Sequence, residues 1–221
     1  MKIIGHRGAR GLAPENTIAA VLKGIQHQVD MVEFDLRVTK DGVVVLDHDG
    51  IITDPNGTKH TISQSNYDVL KSHKPDLATF QEVLDATKNK IKLYVEVKSG
   101  EPIEAIVTII KNSLKNGWKQ SDLLLGSKSQ RTLVSLHSKL PDIQKIVIHP
   151  WSGIISTRRA KQVDTNIIAM NQLSLWSLFI SSMAKRGWKI YAYTLNDPKK
   201  AKRWQKHGLA GVVTDNPQRF K

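Results

Sequence analysis

The chain has 221 residues, which suits one large domain or two small ones, and with 40% hydrophobic and 24% charged residues it can bury a sizeable core. It has no cysteine, which excludes disulfides and thiol nucleophiles. It also has no run near the roughly 20 apolar residues of a membrane span, so we expect a soluble cytoplasmic protein. Its 33 basic and 20 acidic side chains give a net charge of +13, and such a surface attracts anions such as phosphates.

Short apolar segments recur along the chain and alternate with helical patterns. Their near-continuous apolar character is typical of parallel strands that are covered on both faces. We predict eight strands, at residues 2–5, 31–38, 91–97, 123–127, 145–149, 166–170, 189–194 and 211–215. Eight strands that alternate with helices predict an α/β fold, the (β/α)8 TIM barrel. The apolar run at 173–184 predicts a buried helix.

One connection is much longer than the others. Forty residues, 39–78, separate the second strand from its helix, and a loop of that length calls for structure of its own. The segment "VVVLDHD" (43–49) is strand-like, and "DPNG" (54–57) is a strong turn signal. We therefore expect one domain over residues 1–221, with a small inserted subdomain at about 39–78 near the mouth of the barrel.

Carboxylates cluster near the C-terminal ends of two predicted strands, where barrels of this type carry their chemistry. Glu33 and Asp35 are two residues apart on the second strand, so they point to the same face. Glu96 and Lys98 are related in the same way on the third strand. Three carboxylates that lie close together repel each other unless a hard, oxygen-preferring cation neutralises them. Mg²⁺ or Ca²⁺ is the natural choice.

Imidazoles and cations at neighbouring strand ends extend this predicted site. His6 and Arg7 follow the first strand, and His48 lies in the insertion. A metal ion together with Arg7 and Lys98 forms a receptor for a phosphate. Free histidine has a pKa near 6.5, which suits His6 and His48 to proton transfer at neutral pH. Tyr193 lies at the end of the seventh predicted strand, at the same face as these residues.

Five segments resemble the glycerophosphodiester phosphodiesterase family in order and spacing: "HRGARGLAPENTIAA", "VEFDLRVTKDGVVVLDHD", "VEVKSG", "YAYTLND" and "GVVTDNP". The resemblance implies a TIM barrel with an insertion after the second strand. It also implies metal-dependent hydrolysis of glycerophosphodiesters to glycerol 3-phosphate and an alcohol. The residues implied are an acid/base pair, His6 and His48; metal ligands, Glu33, Asp35 and Glu96; and phosphate contacts, Arg7 and Lys98.

The sequence departs from the family pattern where the alcohol would bind. The stretch "GIITDPNG" follows His48, and Lys128 follows Ser127 where an aromatic residue is common. Tyr193 stands where the family often has Trp, and it still offers a ring face to a glycerol or choline group. These departures bear on the substrate rather than on the reaction. An alternative is lysophospholipase D-type cleavage of lysophospholipids at the same site. The apolar segment 151–155 would help there as a lipid-facing rim, although it also fits a core or a lid.

The basic run "NDPKKAKRWQKHG" (196–208) predicts a solvated helix face with Ala201 and Trp204 turned inward. The other interpretation is a docking surface for anionic lipid or nucleic acid. No nucleic-acid motif accompanies it, so we expect a small-molecule phosphodiester substrate and no nucleic-acid partner. A weak association with an anionic membrane surface and the oligomeric state stay open. Five further histidines are expected at the surface: His27, His60, His73, His137 and His207.

Overall fold

The computed structural model describes residues 1–220. Its strands are β1 (Lys2–Gly5), β2 (Met31–Val38), β3 (Val44–Leu46), β4 (Ile51–Thr53), β5 (Lys59–Thr61), β6 (Lys92–Val97), β7 (Leu123–Ser127), β8 (Gln144–Ile148), β9 (Ile167–Asn171), β10 (Lys189–Tyr193) and β11 (Gly211–Thr214). Its α-helices are α1 (Ile18–Gln26), α2 (Tyr67–His73), α3 (Phe80–Thr87), α4 (Ile103–Lys115), α5 (Gln130–Lys139), α6 (Gly153–Lys161), α7 (Ser177–Lys185) and α8 (Pro198–Gln205).

Eight parallel strands close into a barrel. Their order is β1, β11, β10, β9, β8, β7, β6 and β2, and β1 pairs with both β11 and β2, which closes the ring. Ile4 is the residue at this seam, opposite Val213 on one side and Met31 on the other. The predicted (β/α)8 TIM barrel is confirmed, and each predicted strand agrees with the structure to within one residue at either end.

Apolar side chains fill the barrel and the layer between strands and helices. Inside the barrel, Ile4, Tyr94 and Val213 belong to one buried cluster. Two larger clusters lie between the strands and the surrounding helices, as expected for strands covered on both faces. On α8, Ala201 and Trp204 are buried in one of these clusters, which confirms the predicted inward face of that basic helix. The helix layer therefore holds the strand ends, and with them the site, in place.

The segment 39–78, called the inserted segment below, has its own elements. Strand β3 pairs antiparallel with β2, and β4 and β5 form a hairpin that faces α2. Five buried apolar residues form its small core: Val45, Ile52, Ile62, Leu70 and Leu77. The backbone N–H of Asp47 donates to the carbonyl of Asp35 at 3.1 Å, which brings the loop that follows β3 to the barrel mouth. The division into one domain with an inserted subdomain stays a prediction.

The prediction of a buried helix over 173–184 is wrong. Helix α7 begins only at Ser177, and Leu173, Trp176 and Leu178 are 79%, 58% and 78% exposed. The apolar run spans a connection as well as a helix, and composition alone does not show where the helix begins. Ile180 and Met183 of α7 are buried and Phe179 is partly buried against the same core, whereas Leu178 faces outward. Among residues 1–220, no helix is both long and apolar enough to cross a membrane.

Exposed apolar side chains gather on two neighbouring connections, β8 to α6 and β9 to α7, and on the first turns of these helices, at the C-terminal ends of the barrel strands. We call them the apolar rim: Trp151, Ile154, Ile155, Leu173, Trp176 and Leu178. The Phe179 ring joins the two connections. It lies 5.2 Å from the ring of Trp176, and a Cβ added at Gly153 would come within 2.7 Å of it. The exposure excludes a core role for segment 151–155.

Candidate active site

A cavity of about 210 Å³ opens at the C-terminal end of the barrel. Seven of the eight predicted site residues line it: His6, Arg7, Glu33, Asp35, His48, Glu96 and Tyr193. Lys98 is the exception, and it lies behind this wall. A larger cavity of about 660 Å³ lies at the opposite end, beside Lys2 and Lys189, where the strands begin. Because TIM barrels carry their chemistry at the C-terminal face, the smaller cavity is the candidate site.

The three carboxylates of the cavity wall come from two paired strands. Asp35 on β2 lies directly opposite Glu96 on β6, and Glu33 is two residues earlier on β2. All three are buried, and one oxygen from each lies within 4.8 Å of the others. Burial and the charges of Asp35 and Glu96 raise the pKa of Glu33 well above its usual range. Such an all-oxygen donor set, destabilised by its own charge, fits a hard divalent cation.

A tight glycine turn places the first strand end against this cluster. Arg7 has a φ of +49° and Gly8 a φ of +90°, which is left-handed backbone. The backbone N–H of Arg7 donates to the Glu33 carboxylate at 2.8 Å, and that of Gly8 donates to the Glu33 carbonyl at 2.8 Å. A Cβ at Gly8 would lie 2.5 Å from Ala20 of α1, so no larger residue fits. The turn therefore fixes His6 and Arg7 at the cavity.

Lys98 neutralises the carboxylates from behind. Its Nζ lies 2.5 Å from Oδ1 of Asp35 and 2.8 Å from Oε1 of Glu96. Burial alone would raise the pKa of Asp35, but the charge and hydrogen bond of Lys98 and the amide of Asn16 outweigh it and lower that pKa. Lys128 is different, because its side chain is 47% exposed, lines the cavity and lies 3.8 Å from Glu96. Lys128 and Arg7 are therefore the cations that line the cavity.

His6 is oriented by the carboxylate of Asp215, which directly follows the last barrel strand, β11. Its Nδ1 lies 2.6 Å from Oδ1 of Asp215, and the same oxygen pairs with Nε of Arg10 at 2.7 Å. The other oxygen, Oδ2, accepts a hydrogen bond from Asn196 at 2.8 Å. Burial opposes ionisation of Asp215, but the hydrogen bonds from His6 and Asn196 lower its pKa to about 2. An ionised carboxylate only accepts, so Nδ1 of His6 carries the proton and Nε2 has the lone pair.

His48 reaches the cavity from the loop that follows β3. Its Nδ1 lies 2.6 Å from Oδ1 of Asp49, and that hydrogen bond lowers the pKa of Asp49. The His48 carbonyl accepts from Nη2 of Arg37 at 2.7 Å, and Arg37 in turn pairs with Glu101 at 3.1 Å. His48 therefore has the same Nδ1-to-carboxylate arrangement as His6. Its partner is exposed, whereas the partner of His6 is mostly buried.

Comparison with known proteins identifies the family. A sequence model described as the Glycerophosphoryl diester phosphodiesterase family matches residues 6–219. The chain belongs to this family. It is therefore an enzyme of the glycerophosphodiester phosphodiesterase class, and the resemblance seen in its sequence is confirmed.

Three relatives show how far this likeness extends. YhdW of Bacillus subtilis (strain 168) is 30% identical, over 98% of this chain and 95% of its own length. Lysophospholipase D GDPD1 of Homo sapiens is 24% identical, over 100% of this chain and 85% of its own. A phosphodiesterase of Oleispira antarctica, solved in complex with the product sn-glycerol-3-phosphate, is 25% identical with a TM-score of 0.86, and the match covers 100% of this chain and 95% of that one.

Four residues at the site of this glycerophosphodiester phosphodiesterase were given no role from its sequence. Asp215 and Lys128 follow strand ends, and Tyr94 is two residues before Glu96, so strand alternation could have indicated it. Asn16 left no comparable signal. It is buried with a φ of +56°, donates to Asp35 Oδ2 at 3.0 Å and accepts from the Asp35 N–H at 3.1 Å.

Proposed function

We propose that this enzyme hydrolyses glycerophosphodiesters to glycerol 3-phosphate and an alcohol, in a metal-dependent reaction with His6 and His48 as the acid/base pair. One observation supports the proposal most strongly. Two imidazoles, each oriented through Nδ1 by a carboxylate, line the same 210 Å³ cavity as the three buried carboxylates. Family membership agrees with it. The small-molecule substrate also agrees with the product found in the Oleispira antarctica enzyme.

Glu33, Asp35 and Glu96 would hold the divalent cation, Mg²⁺ or Ca²⁺, because both ions prefer oxygen ligands. When bound, the ion supplies charge neutralisation at the phosphate. Lys98 already compensates Asp35 and Glu96, so it supports the cluster as well as adding positive charge near the phosphate.

Arg7 is the proposed phosphate contact at the cavity wall, and Lys128 adds to it from the exposed side of the cavity. Lys98 was predicted as a second contact, but because it lies behind Asp35 and Glu96 we propose that it acts on the phosphate through its charge. Arg7 is held by Glu15 at 2.6 Å, which keeps its guanidinium beside the cavity. Tyr193 presents a half-buried ring to the cavity, suited to a glycerol or head-group carbon. Burial and the nearby Glu96 raise the pKa of Tyr193, so its hydroxyl stays neutral.

The two histidines divide the proton transfers. One imidazole takes the proton from the attacking hydroxyl as the new P–O bond forms. Attack by water gives glycerol 3-phosphate directly, whereas attack by the glycerol hydroxyl of the substrate gives a cyclic phosphate that water must then open. The other, protonated, gives its proton to the alkoxide that leaves as the old P–O bond breaks. Because Asp215 holds the Nδ1 proton of His6, that ring exchanges protons through Nε2, as the proposal requires.

The test is release of glycerol 3-phosphate from glycerophosphocholine and glycerophosphoethanolamine. Protein stripped with a chelator is assayed alone and after addition of Mg²⁺, Ca²⁺ or Mn²⁺. We expect no release without metal and restored release with at least one ion, and the rates with each ion identify the preferred metal. Release that is equally fast in the stripped protein would overturn the metal dependence.

A second candidate function is lysophospholipase D-type cleavage of lysophospholipids at the same site. The apolar rim on two connections of the cavity face favours it, since an acyl chain needs such a surface. The human relative named lysophospholipase D agrees with it. The discriminating measurement is the rate with lysophosphatidylcholine below and above its micelle threshold, compared with glycerophosphocholine. Turnover of glycerophosphocholine alone would rule this function out.

We also propose a weak association of the apolar rim with an anionic membrane surface. The basic side chains nearest the rim in the chain are Arg158 and Arg159 of α6, and the one carboxylate between residues 143 and 196 is Asp164. Asp164 follows the C-terminal end of α6, away from the cavity face. Apolar side chains with basic neighbours and no carboxylate suit an anionic bilayer. A cytoplasmic location stays a prediction.

The membrane association is tested by flotation with phosphatidylglycerol and phosphatidylcholine vesicles. We expect binding to the anionic vesicles that weakens with salt and is lost in the double variant Trp151→Ser/Leu173→Ser. The matched control is Leu22→Ser/Val134→Ser, which removes exposed apolar side chains from α1 and α5. Equal binding of the two variants would contradict the role of the rim, and concentration-dependent dimers lost only in the rim variant would assign it to self-association.

A further inference from the structure

Three potential metal ligands meet in the inserted segment, outside the catalytic cavity. They are Asp54, His60 and His73, and one ligand atom from each lies within 4.8 Å of the others. The proposed reaction uses none of them. Unlike the catalytic cluster, this one combines a carboxylate with two imidazoles, a different donor chemistry.

The local fold explains why these side chains meet. In the β4–β5 hairpin, His60 lies opposite Ile52, and Asp54 is two residues beyond Ile52, so all three share one face. That face is buried at Ile52 against the small core that includes Leu70 of α2. His73 comes three residues after Leu70 and therefore lies on the same face of α2. The three ligands thus form the solvent edge of the core of the inserted segment.

The carboxylate of Asp54 is fixed by its own turn. Its Oδ1 accepts the backbone N–H groups of Asn56 and Thr58, each at 2.9 Å. This leaves Oδ2, which lies 3.3 Å from Nε2 of His60. Two ligands bound to one tetrahedral zinc ion at about 2.0–2.1 Å are roughly 3.3 Å apart. One edge of a coordination tetrahedron is therefore already present.

The third ligand needs a small movement. The rings of His60 and His73 stack with centroids 4.2 Å apart and an angle of 17° between their planes. The nitrogen lone pairs lie in the ring planes, so the His73 ring must turn out of the stack to direct one at the same ion. His73 is the last residue of α2, where the helix does not continue to confine it.

We propose that Asp54, His60 and His73 bind a transition-metal ion of the Zn²⁺ class, with water as the fourth ligand. Two imidazoles and one carboxylate suit zinc, whereas the all-oxygen cluster of the catalytic cavity suits Mg²⁺ or Ca²⁺. The five apolar residues in the core of the inserted segment give it little hydrophobic stabilisation, and a metal ion is a common supplement in small folds. Bound there, the ion joins the β4–β5 hairpin to α2.

Metal binding at this site would also affect the loop that carries His48, because the hairpin is connected to that loop. Strand β4 begins at Ile51, three residues after His48. The backbone N–H of Ile62 donates to the Gly50 carbonyl at 2.9 Å, which ties the hairpin to the same loop. An ion that restricts the hairpin therefore restricts the loop that carries His48.

The experiment is calorimetric titration of the full chain with Zn²⁺, with excess Mg²⁺ present to occupy the oxygen cluster. Thermal unfolding and the visible absorption of Co²⁺ added in place of Zn²⁺ serve as independent readouts. We expect one Zn²⁺ per chain, a higher unfolding temperature with Zn²⁺, and affinity weakened at least about tenfold in His73→Gln and in Asp54→Asn. Asp54→Asn keeps the oxygen that caps the turn, so it is expected to fold.

Two controls locate the ion. His137→Gln removes a histidine of α5 and should bind Zn²⁺ as the wild type does. Glu96→Gln alters the catalytic cluster and should also retain Zn²⁺, even where hydrolysis is lost. No Zn²⁺ binding by the wild type, undiminished binding in His73→Gln, or loss of binding in Glu96→Gln would each overturn the proposal. The first two of these outcomes leave the proposed hydrolysis untouched.

Discussion

Asp215 and His6 lie 209 residues apart in the chain and 2.6 Å apart in the barrel. The pairing joins the end of the last barrel strand to the end of the first. With its pKa lowered to about 2, chiefly by hydrogen bonds that outweigh burial, Asp215 is an acceptor throughout the neutral range. It therefore selects one tautomer of His6, a condition that a proton-transfer residue must meet.

Replacing Asp215 by asparagine tests this orienting role. Asp215→Asn keeps the size of the side chain, but its amide can donate to Nδ1 and stabilise the wrong tautomer. We expect kcat to fall roughly 10²–10⁴-fold with little change in KM, measured with glycerophosphocholine. Asp142→Asn, at the opposite end of the barrel, is the control. A wild-type kcat in Asp215→Asn would contradict the orientation argument.

The same carboxylate contributes to acid stability. Its folded pKa of about 2 lies below the usual 3.8, so the folded state binds fewer protons than the unfolded state between these values. The contribution is therefore complete above about pH 4 and is lost as the pH falls towards 2. The unfolding temperature of Asp215→Asn should depend less on pH in this window than that of the wild type. Parallel curves for the two proteins would show that Asp215 is not the titrating group.

The two histidines are expected to be individually necessary. His6→Gln and His48→Gln should each lower kcat roughly 10²–10⁴-fold, because each removes one of two proton transfers. Steady-state rates over a range of pH check this, and each variant should lose one limb of the pH profile. His137→Gln should behave as the wild type. Near-full rates in both active-site variants would refute the acid/base assignment.

Replacing Lys98 should lower the stability of the fold, whereas replacing Lys128 should weaken substrate binding. Lys98→Met leaves Asp35 and Glu96 buried without their cation, so we expect a loss of about 3–5 kcal/mol in the free energy of unfolding. Lys128→Met removes an exposed cation and should leave stability within about 1 kcal/mol. It should instead raise KM for the anionic substrate. Denaturant unfolding and steady-state kinetics of both variants give the comparison, and a reversed pattern would contradict these roles.

Asn16 should matter through both its side chain and its backbone. Asn16→Gly keeps the left-handed conformation but removes both hydrogen bonds to Asp35, whereas Asn16→Ala also forces a Cβ into that conformation. We expect both to be destabilised, and Asn16→Ala to be the less stable by roughly 0.5–1 kcal/mol. Denaturant unfolding measures the difference. An alanine variant as stable as the glycine variant would show that the backbone carries no strain there.

The sequence predicts the barrel and the meeting of the site residues well, because both follow from periodicity. Apolar runs mark the strands, and the parallel arrangement brings the ends of those strands to one face. The partners of the site residues are harder to predict. That Lys98 bonds Asp35 follows from the register between β2 and β6, and the pairing of Asp215 with His6 follows from closure of the ring. Such long-range pairings leave no local pattern in the chain.

The apolar rim shows a different limit. Trp176 and Leu178 lie in a run as apolar as any buried helix, yet both face outward. Hydrophobic composition indicates that a segment seeks an apolar partner, but it does not say whether that partner is the protein's own core. Trp176 lies before α7 begins, and Leu178 lies on α7 away from its buried residues Ile180 and Met183.

Closure of the barrel at β1 also sets a time at which activity begins. Of the barrel strands, β1 is synthesised before the others. It then has one neighbour, β2, until β11 is synthesised and pairs with its other edge. Until then His6 has no Asp215, so a nascent chain that lacks residues 211–215 contains both imidazoles but not the oriented pair. Turnover is therefore a reporter of completed folding. A circular permutant opened between a helix and the next strand, at the face opposite the cavity, should remain active, because it changes the order of synthesis without breaking the ring.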